Sequence, residues 1–194
     1  MSQYPGREEA LALLTEFNEN ENLIKHALSV EAAMRHFAVR FGGDPDLWGV
    51  VGLVHDLDYE KWPEEHCTKT KEILTERGWP EELIRAVVSH GWGIVTDVKP
   101  ETDMEKTLYA IDELTGLITA TALVRPSRSI LDMKAKSVKK KWNQKAFAAG
   151  ASREIIAEGA EMLGMDLTEM ISETITGMQA VAEDIGLKGE VGPD

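Results

Sequence analysis

The stretch DPDLWGVVGLVHDLD, residues 44–58, decides the fold. Asp44 and Pro45 form a typical N-cap and first-turn proline, so a helix starts here. The residues that follow are apolar on nearly every side, which predicts a helix buried at the centre of a domain. This helix ends at His55 and Asp56, which places an imidazole and a carboxylate, about 100° apart around the axis, at one end of the core.

The rest of the chain shows the same helical periodicity. Apolar residues recur at helical spacing between breaks at glycine and proline, with no alternating strand pattern and no hairpin signal. The 194 residues, 43% of them hydrophobic, suffice for one substantial core. We therefore predict an all-α single domain, residues 1–194. Helices are expected over 6–17, 20–41, 45–55, 63–78, 80–90, 102–124, 152–164 and 167–185, followed by a flexible tail, 186–194.

Composition narrows the cellular setting and the partners. The single cysteine, Cys67, excludes an intramolecular disulfide and favours a reducing, cytoplasmic compartment. No apolar run approaches the roughly 18 residues of a membrane span, and a net charge of −13 argues against binding to duplex nucleic acid or to an anionic membrane. The last helix has an apolar face that packs either on the core or on a partner chain, so a homodimer is an open alternative.

One segment departs from the acidic average. Residues 125–145 hold eight of the 21 lysines and arginines and one acid, Asp132, which gives a local charge of +7. This concentration favours attraction of a small anionic group, although a solvated helix face gives the same pattern. Arginine forks, lysines and hydroxyl groups suit phosphate oxygens, so the candidate substrate contacts are Arg125, Ser127, Arg128, Lys136, Ser137 and Lys140.

Histidines and an aspartate on other helices also point toward the core. His26 keeps helical register with apolar residues of its helix, and Asp112 lies in the middle of a long helix. His66 and His90 stand near the ends of successive helices. Each of these residues alone is more often a hydrogen-bonded core residue than a ligand. A mixture of imidazoles and carboxylates nevertheless suits Fe, Mn, Co, Ni or Zn.

The order of these residues resembles the ligand pattern of HD-domain proteins. Three segments carry the resemblance: LVHDLDYEKWPEEH at 53–66, AVVSHG at 86–91 and YAIDELTGLI at 109–118. It covers about residues 20–125 as a helical-bundle HD core and continues loosely into the basic segment and C-terminal helices, 126–185, which resemble a bacterial subgroup of HD-domain hydrolases. The resemblance implies that one divalent transition metal is held by His26, His55, Asp56 and Asp112, and that a second is held by His66 and His90 with Asp56 as the bridge.

The resemblance also implies a function. HD-domain proteins of this kind are metal-dependent phosphohydrolases, in which a metal-activated hydroxide attacks a phosphate ester or a nucleotide-type phosphoanhydride. We expect Asp56 and Asp58 to be catalytic, with Asp58 or Glu60 orienting or deprotonating the water; helix-end acids in solvent are the other interpretation. Trp62 and Trp92 are candidates for stacking on a base or sugar, or for ordinary packing.

Two other functions remain open at this point. The chain also resembles HD proteins with the same number of ligands that hold two irons and use oxygen to cleave carbon–carbon or carbon–phosphorus bonds, so an HD-type di-iron oxygenase is the second interpretation. A non-catalytic, metal-stabilised ligand-binding module is the third interpretation. One metal ion or two, and the identity of that metal, are also left open by the sequence.

Overall fold

The computed structural model describes residues 4–190, and within that range the chain is all-helical with no strand. The prediction of an all-α helical bundle is confirmed. Its helices are α1 Arg7–Phe17, α2 Glu21–Phe41, α3 Pro45–Val54, α4 Thr68–Glu76, α5 Glu81–Ser89, α6 Asp103–Leu123, α7 Ala135–Trp142, α8 Arg153–Met162 and α9 Leu167–Gln179. None of the helices in residues 4–190 is both long and apolar enough to cross a membrane.

Helix α3 lies at the centre, as its composition predicts. The Asp44 side chain accepts hydrogen bonds from the backbone N–H groups of Asp46 and Leu47, and every residue from 48 to 54 is buried. Helix α2 crosses α3 closely, because a Cβ on Gly52 would lie 3.1 Å from the carbonyl oxygen of Val30. The end of α3, where His55 and Asp56 stand, is thereby fixed inside the bundle.

The two long helices α2 and α6 have clear capping residues. Asn20 caps the start of α2, which ends at Gly42 with a φ of 70°, a backbone conformation that favours glycine. Thr102 and Glu105 form a reciprocal capping box at the start of α6. Helix α2 packs on α3 and on α6, and His26 of α2 and Asp112 of α6 both contact His55 at the end of α3.

The predicted continuous helix over 63–78 is wrong. Residues Pro63–Glu65 form a single 3-10 turn, and α4 begins only at Thr68. The break is at Cys67, whose φ of 65° is incompatible with a helix. The Asp58 carboxylate accepts a hydrogen bond from the backbone N–H of Thr70, which fixes the start of α4 after the break.

The C-terminal helices pack onto the preceding helices of the bundle. Helix α9 lies on α2, where a Cβ on Gly177 would be only 2.8 Å from the Cα of Ala33, so its apolar face is covered by the chain itself. It ends at Gln179 rather than at residue 185, because the following N–H groups bond to carbonyls three residues back.

The tail that the sequence predicts to be flexible is partly packed. Leu187 is buried and its carbonyl accepts from the N–H of Ile130, while the N–H of Glu190 donates to the carbonyl of Ser127. These contacts are at odds with flexibility in residues 186–190. The remainder of the predicted tail, 191–194, lies outside the described residues.

Candidate metal centre

Six side chains from five parts of the chain meet at one pocket. His26 comes from α2, His55 and Asp56 from the end of α3, His66 from the break before α4, His90 from the end of α5, and Asp112 from α6. These are the six residues that the sequence proposes as metal ligands. His55 is fully buried, and the others line the pocket.

Four of these residues form one compact set. The Nε2 atoms of His26 and His55 are 3.2 Å apart, and Oδ1 of Asp112 lies 2.9 and 3.2 Å from them. Oδ2 of Asp56 completes the set at 3.5 Å from His26 and 3.4 Å from His55. An ion about 2.0–2.1 Å from adjacent ligand atoms separates them by about 2.9–3.4 Å, which the set matches closely.

The second set lies on the other side of Asp56. The Nε2 atoms of His66 and His90 are 3.1 Å apart, and each is 3.5 Å from Oδ1 of Asp56. One oxygen of Asp56 therefore faces the first set and the other oxygen faces the second. This is the arrangement expected of a carboxylate that bridges two metal ions.

The protons of the rings are held on the far side of each imidazole. The Nδ1 atom of His55 donates to the carbonyl of Gly52 at 2.8 Å, and that of His90 donates to the carbonyl of Val87. The Nδ1 atom of His66 donates to Oδ1 of Asp58 at 2.7 Å. In the neutral rings the Nε2 lone pairs consequently point at one another and at the carboxylates. Such facing lone pairs repel unless a cation lies between them, so the residues present fit metal ions.

The electrostatics of the first set also favour a cation. Burial lowers the pKa of His55, but the Asp56 and Asp112 carboxylates outweigh it and raise that pKa to about 10. Burial raises the pKa values of Asp56 and Asp112, but His55 outweighs it and holds both well below their usual range. Both carboxylates thus remain ionised and bind positive charge tightly.

The second set lies beside Cys67, which the sequence interpretation uses only as a sign of a reducing compartment. Burial lowers the pKa of His66, but its hydrogen bond to Asp58 raises it to about 9. Burial raises the pKa of the Cys67 thiol, yet the neighbouring His90 and His66 bring it down to about 7. The only sequence feature that could have identified Cys67 is its position next to the predicted ligand His66. That feature is weak evidence unless the helix break at Cys67 is also known.

The pocket above the two sets has a volume of about 470 Å³, within the range of small-molecule sites. Its rim includes the exposed side chains of Tyr59, Ile94 and Val95, and a loop at 148–151. Glu113 also lines it and accepts from the backbone N–H of Ser152. Burial and then the adjacent Asp112 raise the pKa of Glu113. The sequence offered no signal for these residues, since they come from loops and from the neighbour of a ligand.

The two acids proposed to orient or deprotonate the water do not line the pocket. Asp58 has no solvent exposure, and its two oxygens are held by His66 and by the N–H of Thr70. Glu60 accepts from the backbone N–H groups of Glu19 and Asn20, at the start of α2. A role in orienting or deprotonating water therefore does not fit either position. Asp58 instead positions His66.

The basic segment does not reach the metal centre. Arg125 donates to Oδ1 of Asp132 at 2.7 Å, and Ser127 donates to the same oxygen at 3.1 Å. Lys136 and Lys140 border a separate shallow pocket beside α9. None of these four residues, nor Arg128 or Ser137, lines the pocket at the metal centre. Their predicted contact with phosphate at this centre does not fit, because α7 packs on the α9 side of the bundle.

The two tryptophans proposed for stacking have packing partners. Trp62 lies against Phe17, with ring centroids 6.0 Å apart. Trp92 lies against Tyr109 at 5.7 Å, and Lys99 sits over its ring. Neither tryptophan lines the pocket at the metal centre.

Comparison with known proteins agrees with this geometry. Residues 23–117 match the HD domain family, a range that contains all six candidate ligands. No curated protein and no solved structure matches the chain. The chain therefore carries an HD domain over residues 23–117, the domain of a superfamily of metal-dependent phosphohydrolases.

Proposed function

We propose that this chain hydrolyses a small phosphate ester or a nucleotide-type phosphoanhydride with two divalent transition metal ions. The observation that carries the proposal is the position of Asp56, whose two carboxylate oxygens face two separate sets of imidazole nitrogens. Two bound ions would lower the pKa of a water between them and neutralise charge on a phosphoryl oxygen.

The lining of the pocket supports a substrate whose charge is met by those ions. Among residues 4–190, no lysine or arginine lines it, whereas Asp56, Asp112 and Glu113 do. Without bound cations this surface would repel a phosphate. The residues of the chain would hold the ions, whose positive charge would attract the anion.

The rim supports an apolar or aromatic group next to the phosphate. Tyr59, Ile94 and Val95 expose 46%, 60% and 47% of their surface around the pocket, although large apolar residues are usually buried. A base, a sugar or an aryl group would cover them and exclude water from the ligands. We therefore propose that the substrate is a small phosphorylated molecule that carries such a group. We also propose that the protein is cytoplasmic.

A panel of aryl phosphates, phosphodiesters and nucleotides tests the proposal. Protein purified without chelator and loaded with Mn, Co, Zn or Fe should release phosphate, at the same rate with and without oxygen. Asp56→Asn should lower kcat by about 100-fold or more, because losing a direct ligand costs more than the 10–100-fold typical of an outer partner. The matched control is Asp132→Asn, the same substitution at a carboxylate that pairs with Arg125. It should not lower kcat.

Three outcomes would count against the proposal. Substrate loss only in the presence of oxygen would indicate the oxygenase. Tight ligand binding without turnover in protein with full metal occupancy would indicate the binding module. Equal activity in Asp56→Asn would show that the reaction takes place elsewhere.

A further inference from the structure

Cys67 places a thiol beside the second set of ligands. Its side chain is 2% exposed, and its Sγ atom lies 4.0 Å from Nε2 of His90. The Sγ atom and one ring nitrogen each from His66 and His90 all lie within 4.8 Å of one another. Zinc–sulfur and zinc–nitrogen bonds of about 2.3 and 2.1 Å together span up to about 4.4 Å, so one ion reaches both Cys67 and His90.

The backbone around Cys67 is arranged to aim the thiol inward. Cys67 has a φ of 65°, which residues with a side chain rarely adopt, and this turn directs Sγ toward the end of α5. The space for Sγ exists because residue 91 is glycine, since a Cβ on Gly91 would lie 2.8 Å from the sulfur.

We propose that Cys67 is a thiolate ligand of the metal ion held by His66 and His90, and that it makes this half of the centre selective for Zn, Co or Fe(II) over Mg and Mn. Soft sulfur ligands favour the former ions, whereas sites built from carboxylate and carbonyl oxygens suit the latter. The first set contains two imidazoles and two carboxylates and no sulfur, so the two halves would differ in metal preference. This inference rests on the metal centre of the proposed function, but not on its phosphate chemistry.

Cobalt(II) provides the test, because a thiolate bound to cobalt gives a charge-transfer absorption band in the near ultraviolet that imidazole and carboxylate ligands do not give. Cys67 is the only cysteine, so such a band has one source. The cobalt-loaded wild-type chain should show the band when the second ion binds. Cys67→Ser should lose the band, keep its visible cobalt absorption from the first set, and bind zinc at the second set at least about tenfold more weakly. Its Mn affinity should change much less.

Ser89→Ala is the matched control, because it removes a buried hydroxyl next to His90 that donates to the carbonyl of Ala86. It should keep the band and both affinities. Two bound cobalt ions without the band in the wild-type chain, or one ion without it, would overturn this inference and leave phosphate hydrolysis open. No bound cobalt at all would contradict both proposals.

Discussion

The Nδ1 atom of His66 lies 2.7 Å from Oδ1 of Asp58, a carboxylate with no solvent exposure. Because this carboxylate accepts the Nδ1 proton, Nε2 of His66 presents its lone pair to the second metal set. The other oxygen of Asp58 accepts from the N–H of Thr70 at 2.8 Å. One buried acid thus fixes both the start of α4 and the orientation of a candidate ligand.

Asp58→Asn should weaken metal binding at the second set by about 10–100-fold, the usual effect of losing an outer hydrogen-bond partner of a ligating histidine. The asparagine amide keeps the shape of the side chain but has one acceptor oxygen, so it cannot accept from both His66 and Thr70 as the two Asp58 oxygens do. Competition with a chromophoric chelator measures both affinities. Binding at the first set should be unchanged, as should both affinities in the Asp132→Asn control. Two unchanged affinities in Asp58→Asn would show that Asp58 does not position His66.

Replacing both Lys136 and Lys140 with alanine should leave kcat/KM for a small phosphate ester within about twofold at physiological ionic strength, where exposed charges are screened. Both lysines border a different pocket from the metal centre. Steady-state kinetics on the double variant makes the measurement. A KM increase of about tenfold or more would place a direct phosphate contact in α7 and reinstate the expectation from the sequence.

Proton release should accompany metal binding. The pKa of His55 is raised to about 10 and that of His66 to about 9, so below pH 9 both rings hold protons that a metal ion must displace. Apparent affinity should therefore rise with pH. Calorimetry in buffers of different ionisation enthalpy counts the protons released, and an affinity that is independent of pH between 7 and 9 would contradict these pKa values.

The same shifts set the pH dependence of stability in the metal-free protein. A raised pKa means that the folded state binds the proton more tightly than the unfolded state, whose histidine titrates near 6.5. The stabilisation from His55 is complete below pH 6.5 and is lost as pH rises toward 10. Chelator-treated protein should thus become easier to unfold with urea over that range, and metal-loaded protein should lose less.

The junction between α6 and α8 gives a prediction about stability. A Cβ on Gly159 would lie 2.4 Å from the Cβ of Ala110, so Gly159→Ala should destabilise the protein by about 1–3 kcal/mol through overpacking. Gly116→Ala, also within a helix but with nothing within 4 Å of the added Cβ, should instead stabilise it by about 0.5–1 kcal/mol. Denaturant unfolding of both variants measures the difference. Equal effects would contradict the close packing of α8.

The sequence predicted the helices and the candidate metal ligands better than the residues that surround the substrate pocket. Caps, glycines and prolines are local signals, so the starts of α2, α3 and α6 could be predicted closely. The six proposed ligands do meet in one pocket. Their order matched a family pattern, and that match predicted the meeting, which helical periodicity alone could not.

What could not be predicted depends on long-range packing. The charge of residues 125–145 does not show which side of the bundle α7 covers, so the sequence could not predict that Lys136 and Lys140 border a pocket other than the metal centre. The helix break at Cys67 depends on a buried contact between Asp58 and Thr70, which no local pattern reveals. The apolar rim comes from loops whose shape has no periodicity.

The metal-to-chain ratio of protein purified without chelator tests the central claim most directly. The facing nitrogen sets on either side of Asp56 predict two ions per chain by elemental analysis, and fewer than two in Asp56→Asn. A wild-type chain that binds no ion under metal-replete conditions, or an Asp56→Asn variant that still holds two, would contradict the bridged metal centre.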